Sequence, residues 1–211
     1  MNILKKFVEL LYESLTDNKK LIIVMAVLFL ACFIGAWVFS SSSISSNTAQ
    51  IQNISSSTPN MDQGTGAVEL FINNEYGGIL TYLGSVFFGI FAVVSLIYNG
   101  VNLGLVGQLF SQMMPNGGLR YIVYLLPHGI FELTATVLES AAGIMLFLFI
   151  WRFFRALISR ETHGVSEAFD KTKKILVQSL IIMIFTTILL LIAAPIESYI
   201  SVPFSELIVG S

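Results

Sequence analysis

Leu21–Phe39 reads LIIVMAVLFLACFIGAWVF and contains no charged residue. At about 1.5 Å per residue such a helix reaches ~28 Å, enough to cross the ~30 Å hydrocarbon core of a bilayer with little tilt. Ile175–Ala194 is a second run of the same kind, preceded by Lys171, Lys173 and Lys174. Between the two lies Gly77–Trp151, whose only charges are Arg120, Glu132 and Glu139. The chain of 211 residues is 55% hydrophobic and 11% charged, with mean hydropathy +0.81. That leaves too little polar surface for a soluble domain. The runs also lack the two-residue alternation of a lipid-facing barrel. The fold class is therefore all-α, a polytopic helical membrane protein.

The basic residues set an orientation. Lys5, Lys6, Lys19 and Lys20 precede the first span; Arg152, Arg155, Arg160, Lys171, Lys173 and Lys174 fall between Trp151 and Ile175. Cytoplasmic flanks carry the excess of Lys and Arg, so both segments are read as cytoplasmic. Two cytoplasmic anchors require an even number of crossings between them. Residues 77–151 then cross an odd number of times, and three crossings of ~20 residues fit. The expectation is about five transmembrane helices in the cell membrane, N-terminus cytoplasmic and C-terminus external.

The resulting organisation has seven parts. Residues 1–20 form a cytoplasmic interfacial helix, with Ile3, Leu4, Phe7, Leu10, Leu11 and Leu15 largely on one face. Residues 21–39 are the first transmembrane helix, read as an uncleaved anchor because its apolar run exceeds a signal-peptide core. Residues 40–77 are an external linker, Ser- and Asn-rich at first, with a sequon at Asn53 and an interfacial segment from Ala67. Residues 78–151 are a Gly-rich central bundle, 152–174 a basic cytoplasmic loop, 175–194 the last transmembrane helix, and 195–211 an external tail. The single cysteine, Cys32, lies in the first span and can form no internal disulfide.

The central bundle carries the candidate site. On a helix of ~100° per residue, Glu132 and Glu139 lie about 40° and 20° from His128 around the axis. Ionisable groups in hydrocarbon are costly, so this stripe is the leading functional candidate. Pro127 removes a backbone donor and Gly129 eases a bend, which predicts a helix break at Leu126–Gly129. Gly100 and Gly104 have GxxxG spacing for close helix packing, and the amides of Asn99 and Asn102 beside them need partners.

Three motifs carry a resemblance: Phe71–Asn74 (FINN), Tyr98-Asn99-Gly100 with Gly104 following, and Leu126–Ala135 (LPHGIFELTA). With them the chain resembles the stage II sporulation protein M family of bacteria and archaea, over nearly its whole length. The matching positions are Asn74, Asn99, Gly100, Gly104, Pro127, His128, Gly129 and Glu132. Glu139 belongs to the stripe by helical geometry alone. The resemblance implies a membrane scaffold without intrinsic catalysis, working beside cell-envelope hydrolases or other membrane proteins.

The polar site (His128, Glu132, Glu139, Asn99, Asn102, Asn74) has three readings. It locks the bundle by hydrogen bonds, lines a path for protons or small solutes, or binds a divalent metal. For a metal, His128 and Glu132 supply two ligands, and Asn74, Glu75 or His163 are candidates to complete the set. The spacing departs from HExxH, which excludes a zincin. No cofactor is expected, with divalent metal as the alternative. The expected partners are membrane lipid, other copies of the chain as a homo-oligomer, and envelope proteins; a nucleic-acid role is not indicated. The functional expectation is a scaffold or assembly protein. A small oligomeric transporter or channel-like protein comes second, and a metal-dependent intramembrane enzyme third.

Overall fold

A computed structural model describes residues 3–40, 66–159 and 162–210. The linker read in residues 41–65, with the Asn53 sequon, lies outside them. Six α-helices come first: α1 (Ile3–Asp17), α2 (Lys19–Phe39), α3 (Ala67–Gly84), α4 (Ile90–Met113), α5 (Gly117–Ile158) and α6 (Val165–Ile196). A π-helical turn, Glu197–Ser201, then leads into α7 (Val202–Val209). No strand occurs among the described residues. Four helical stretches are long and apolar enough to cross a membrane: α2, α4, α5 and the continuous Val165–Val209. The four fall one short of the five read from charge parity. The difference is α3, an 18-residue helix carrying Glu69 and Glu75 that is not among them.

The packing divides the chain into two compact units. The first comprises Met1–Ala26, Tyr76–Leu96 and Ala135–Ile188. Its core is built from small side chains that let helices approach closely. Ala135, Ala141 and Ala142 are fully buried on α5, as are Ala92 and Leu96 on α4 and Ile182 and Thr186 on α6. A Cβ at Gly143 would sit 2.6 Å from the Ser85 hydroxyl and 3.1 Å from Ala92 Cβ, so only a glycine fits there. α3 turns into α4 through Phe88 and Gly89, with φ of 61° and 65°. The left-handed region suits the glycine and costs the phenylalanine energy. Hydroxyl pairs cross between helices: Tyr82 Oη to Ser179 Oγ at 2.9 Å, and Thr81 Oγ1 to Ser95 Oγ at 2.8 Å. α1 is tied to the start of α6. Lys174 Nζ lies 2.8 Å from Glu13 and 2.9 Å from Asp17, and Gln178 donates to Asp17 at 2.8 Å. The bond from Lys174 holds the Asp17 carboxyl below its usual range. Ile3, Leu4 and Val8 of α1 remain exposed, as an interfacial helix requires.

The second unit comprises Val27–Glu75, Ile97–Thr134 and Leu189–Ser211. Here the glycines of α4 meet α2. A Cβ at Gly100 would lie 2.9 Å from the Phe29 carbonyl oxygen, and one at Gly104 would fall on the Phe33 carbonyl and 2.9 Å from Trp37 N. The small-residue face expected to serve an oligomer is therefore occupied within the chain. Trp37 packs on Tyr121 with ring centroids 5.6 Å apart, and Tyr121 Oη donates to the Leu103 carbonyl at 3.1 Å.

Three expectations need correction. The break at Leu126–Gly129 is absent, because α5 runs 42 residues without interruption and contains Pro127. Proline deletes only one donor, the one that would reach Val123, and the other bonds of the ladder persist. Packing supports the helix there: Leu125 and Leu133 side chains lie 3.0 and 3.8 Å from where a Cβ of Gly129 would stand. The 152–174 segment is mostly helix rather than loop, since α5 extends to Ile158 and α6 begins at Val165. Pairs spaced for a helix stabilise it, Lys171–Glu167 at 2.8 Å and Lys173–Asp170 at 2.7 Å. Finally, 195–211 is no trailing segment. It stays helical to Val209, and Arg120 of α5 donates to the Gly210 carbonyl.

Candidate functional site

The site grows from one turn of α5. His128 and Glu132 stand four residues apart and share a face, with His128 2% exposed and Glu132 half-buried. Their facing atoms, His128 Nε2 and Glu132 Oε2, are 3.8 Å apart. That is too long for a hydrogen bond. The other carboxylate oxygen, Oε1, accepts from the Asn74 amide of α3 at 3.0 Å.

The π-turn supplies the opposite wall. Its wider winding inserts one extra residue into the helical ladder, and such turns recur at functional sites. It presents Glu197 and Ser201 together. Ser201 Oγ lies 2.8 Å from His128 Nδ1 and 3.3 Å from the Ile196 carbonyl. Tyr124, one turn before His128, donates to Glu197 Oε1 at 3.3 Å, and its ring packs edge-on against the imidazole at 5.2 Å. One ligand atom each from His128, Glu132 and Glu197 lies within 4.8 Å of the others. The arrangement is an imidazole and two carboxylates, each steadied by a neutral donor or hydroxyl.

Of the residues expected from the sequence, the structure brings together His128, Glu132 and Asn74. Glu139 belongs to the other unit, where its carboxylate is buried against Gly78. Asn99 is on an exposed face of α4, and Asn102 is half-buried. Gly100 and Gly104 serve the seam with α2, and Pro127 and Gly129 stay within an unbroken helix. His163, a candidate ligand, lies in the first unit, and its backbone N–H donates to Glu167 at 2.7 Å near the start of α6.

Sequence reasoning missed Tyr124, Glu197 and Ser201. The available signal was an acidic residue and serines inside the apolar run IESYISVPFSELIV (Ile196–Val209). Reading that run as an amphipathic element on the outer surface assigned its polar groups to water.

Fold and site together define an integral membrane protein of several helices with an ionisable cluster built into the bundle. The sequence profile of the stage II sporulation protein M family matches residues 24–202, and the chain belongs to that family. It is 34% identical over 134 residues to an uncharacterised protein of Methanocaldococcus jannaschii, covering 63% of this chain and 68% of that one. No solved structure matches.

Proposed function

We propose that the chain is a membrane scaffold or assembly protein of the stage II sporulation protein M type, holding partner proteins such as envelope-remodelling enzymes in position. The observation that carries this reading is the use made of polar groups inside the bundle. Asn74, Tyr124 and Ser201 bond to Glu132, Glu197 and His128, joining α3, α5 and the π-turn. Such bonds fix one arrangement of helices, which is what a docking platform needs. α2 is exposed along Ile23, Val27, Leu30, Ile34 and Val38, an apolar surface open to lipid or to another membrane protein. A homo-oligomer would use such a face, since the Gly100/Gly104 seam is taken.

In this reading the N-terminus and the helical segment around Lys171–Lys174 face the cytoplasm. The ion pairs joining α1 to Lys174 support placing both on one side. A cysteine introduced at Ser43 is expected to react with an impermeant maleimide from outside intact cells; reaction from the cytoplasm alone would reverse the orientation.

The competing transporter reading is favoured by the ionisable cluster among the membrane helices. Proteoliposomes separate the two. A scaffold passes protons no faster than protein-free vesicles, whereas flux abolished by Glu132→Gln would replace the scaffold with a conductor.

A further inference from the structure

The geometry points to a divalent metal site formed by His128 Nε2 and the carboxylates of Glu132 and Glu197, a cation that clamps α5 to the π-turn. Three observations converge on it. The first is the protonation pattern of the imidazole. With its own proton directed to the Ile196 carbonyl, the Ser201 hydroxyl accepts from His128 Nδ1–H. Nε2 then carries a lone pair. That lone pair faces a carboxylate oxygen at 3.8 Å, two acceptors with no proton between them.

The second observation is spacing. Zn–N and Zn–O bonds of ~2.1 Å in a tetrahedral shell place ligand atoms about 3.4 Å apart. The His128–Glu132 gap exceeds this by a few tenths of an ångström, and the three-residue cluster closes within 4.8 Å. Small side-chain rotations complete the shell.

The third is the outer ring of contacts. Metal ligands are held by second partners that orient them, commonly through the remote imidazole nitrogen and the remote carboxylate oxygen. Here Ser201 holds Nδ1, Asn74 holds one oxygen of Glu132, and Tyr124 holds one oxygen of Glu197. The charge also balances. Two carboxylates brought together in a largely buried place repel, and a dication neutralises both. One nitrogen and two oxygens suit zinc, manganese or iron(II), with remaining positions open to water.

The test uses the full chain purified in detergent, stripped with a chelator and reloaded with Zn²⁺ or, in parallel, Mn²⁺. Elemental mass spectrometry after desalting gives the stoichiometry, and thermal unfolding gives the linkage. Wild type and Glu139→Gln, whose carboxylate lies in the other unit, are expected to retain stoichiometric metal and to melt higher with it. Glu197→Gln is expected to lose the metal and the metal-dependent shift. Ser201→Ala is expected to bind roughly 10–100-fold more weakly, since it removes only the imidazole's outer partner. Should Glu197→Gln fail to fold, Ser201→Ala decides. Wild type that retains neither ion overturns the proposal, as does either variant binding as tightly as wild type.

Discussion

Gly104→Leu is expected to keep α2 from seating on α4 and to leave little folded protein. A Cβ at this position falls on the Phe33 carbonyl oxygen and stands 2.8 Å from Ala36 Cβ and 2.9 Å from Trp37 N. Two of the three obstacles are backbone, so no rotamer change relieves them. Overpacking typically costs about 1–3 kcal/mol, and rigid backbone contacts put this case at or above the upper end. The loss would reach the tail as well, because Trp37 packs on Tyr121, next in sequence to the Arg120 that binds Gly210. Gly35→Leu is the matched control. It adds the same side chain to α2, where a Cβ meets nothing within 4 Å. Yield of monodisperse protein and unfolding temperature in detergent read the difference. Equal behaviour of the two variants would mean that the α2–α4 seam is not closely packed.

The second large effect lies in the first unit, where Gly78 gives the Glu139 carboxylate its space. All three nearest atoms to a Cβ at Gly78 belong to that carboxylate, with Oε2 at 2.7 Å. Glu139 is 6% exposed, so the added methyl of Gly78→Ala pushes a buried polar group out of its bonded position. Misplacing such a group costs about 1–3 kcal/mol, and more when it is charged. Truncation at the other position empties the same space. Gly78→Ala combined with Glu139→Ala is therefore expected to be more stable than the sum of the single losses predicts, by about 1 kcal/mol or more. Strict additivity in thermal unfolding would separate the two residues and remove Glu139 from the neighbourhood of Gly78.

The membrane class was legible because lipid dictates it locally: a helix such as Leu21–Phe39 must be apolar wherever its neighbours lie. The His128–Glu132 pair was legible for the same reason, since four residues on a helix fix a shared face. Glu139 shows where that logic stops. A wheel projection gives angle and discards height, and 11 residues at 1.5 Å put Glu139 about 16 Å further along α5. The continuity of α5 through Pro127 was not legible, because whether a proline breaks a helix depends on what packs around it. Glu197, Ser201 and Tyr124 were hidden for a longer-range reason. Only the return of the last helix toward α5 brings them to His128, and nothing near His128 in sequence encodes that return.

The π-turn also makes the end of the chain a counted length. Glu197 and Ser201 reach Tyr124 and His128 from within it, and Gly210 reaches Arg120 nine residues after Ser201. Each of these partners sits on one straight helix whose rise is fixed. Removing a single residue between Ser198 and Ile200 would restore ordinary α winding and swing everything after it by about 100°. The carboxylate, the hydroxyl and the final carbonyl could no longer all find their places. Changes in length elsewhere in a protein are usually absorbed by connecting segments; between Glu197 and Gly210 one codon gained or lost is a change of rotational phase.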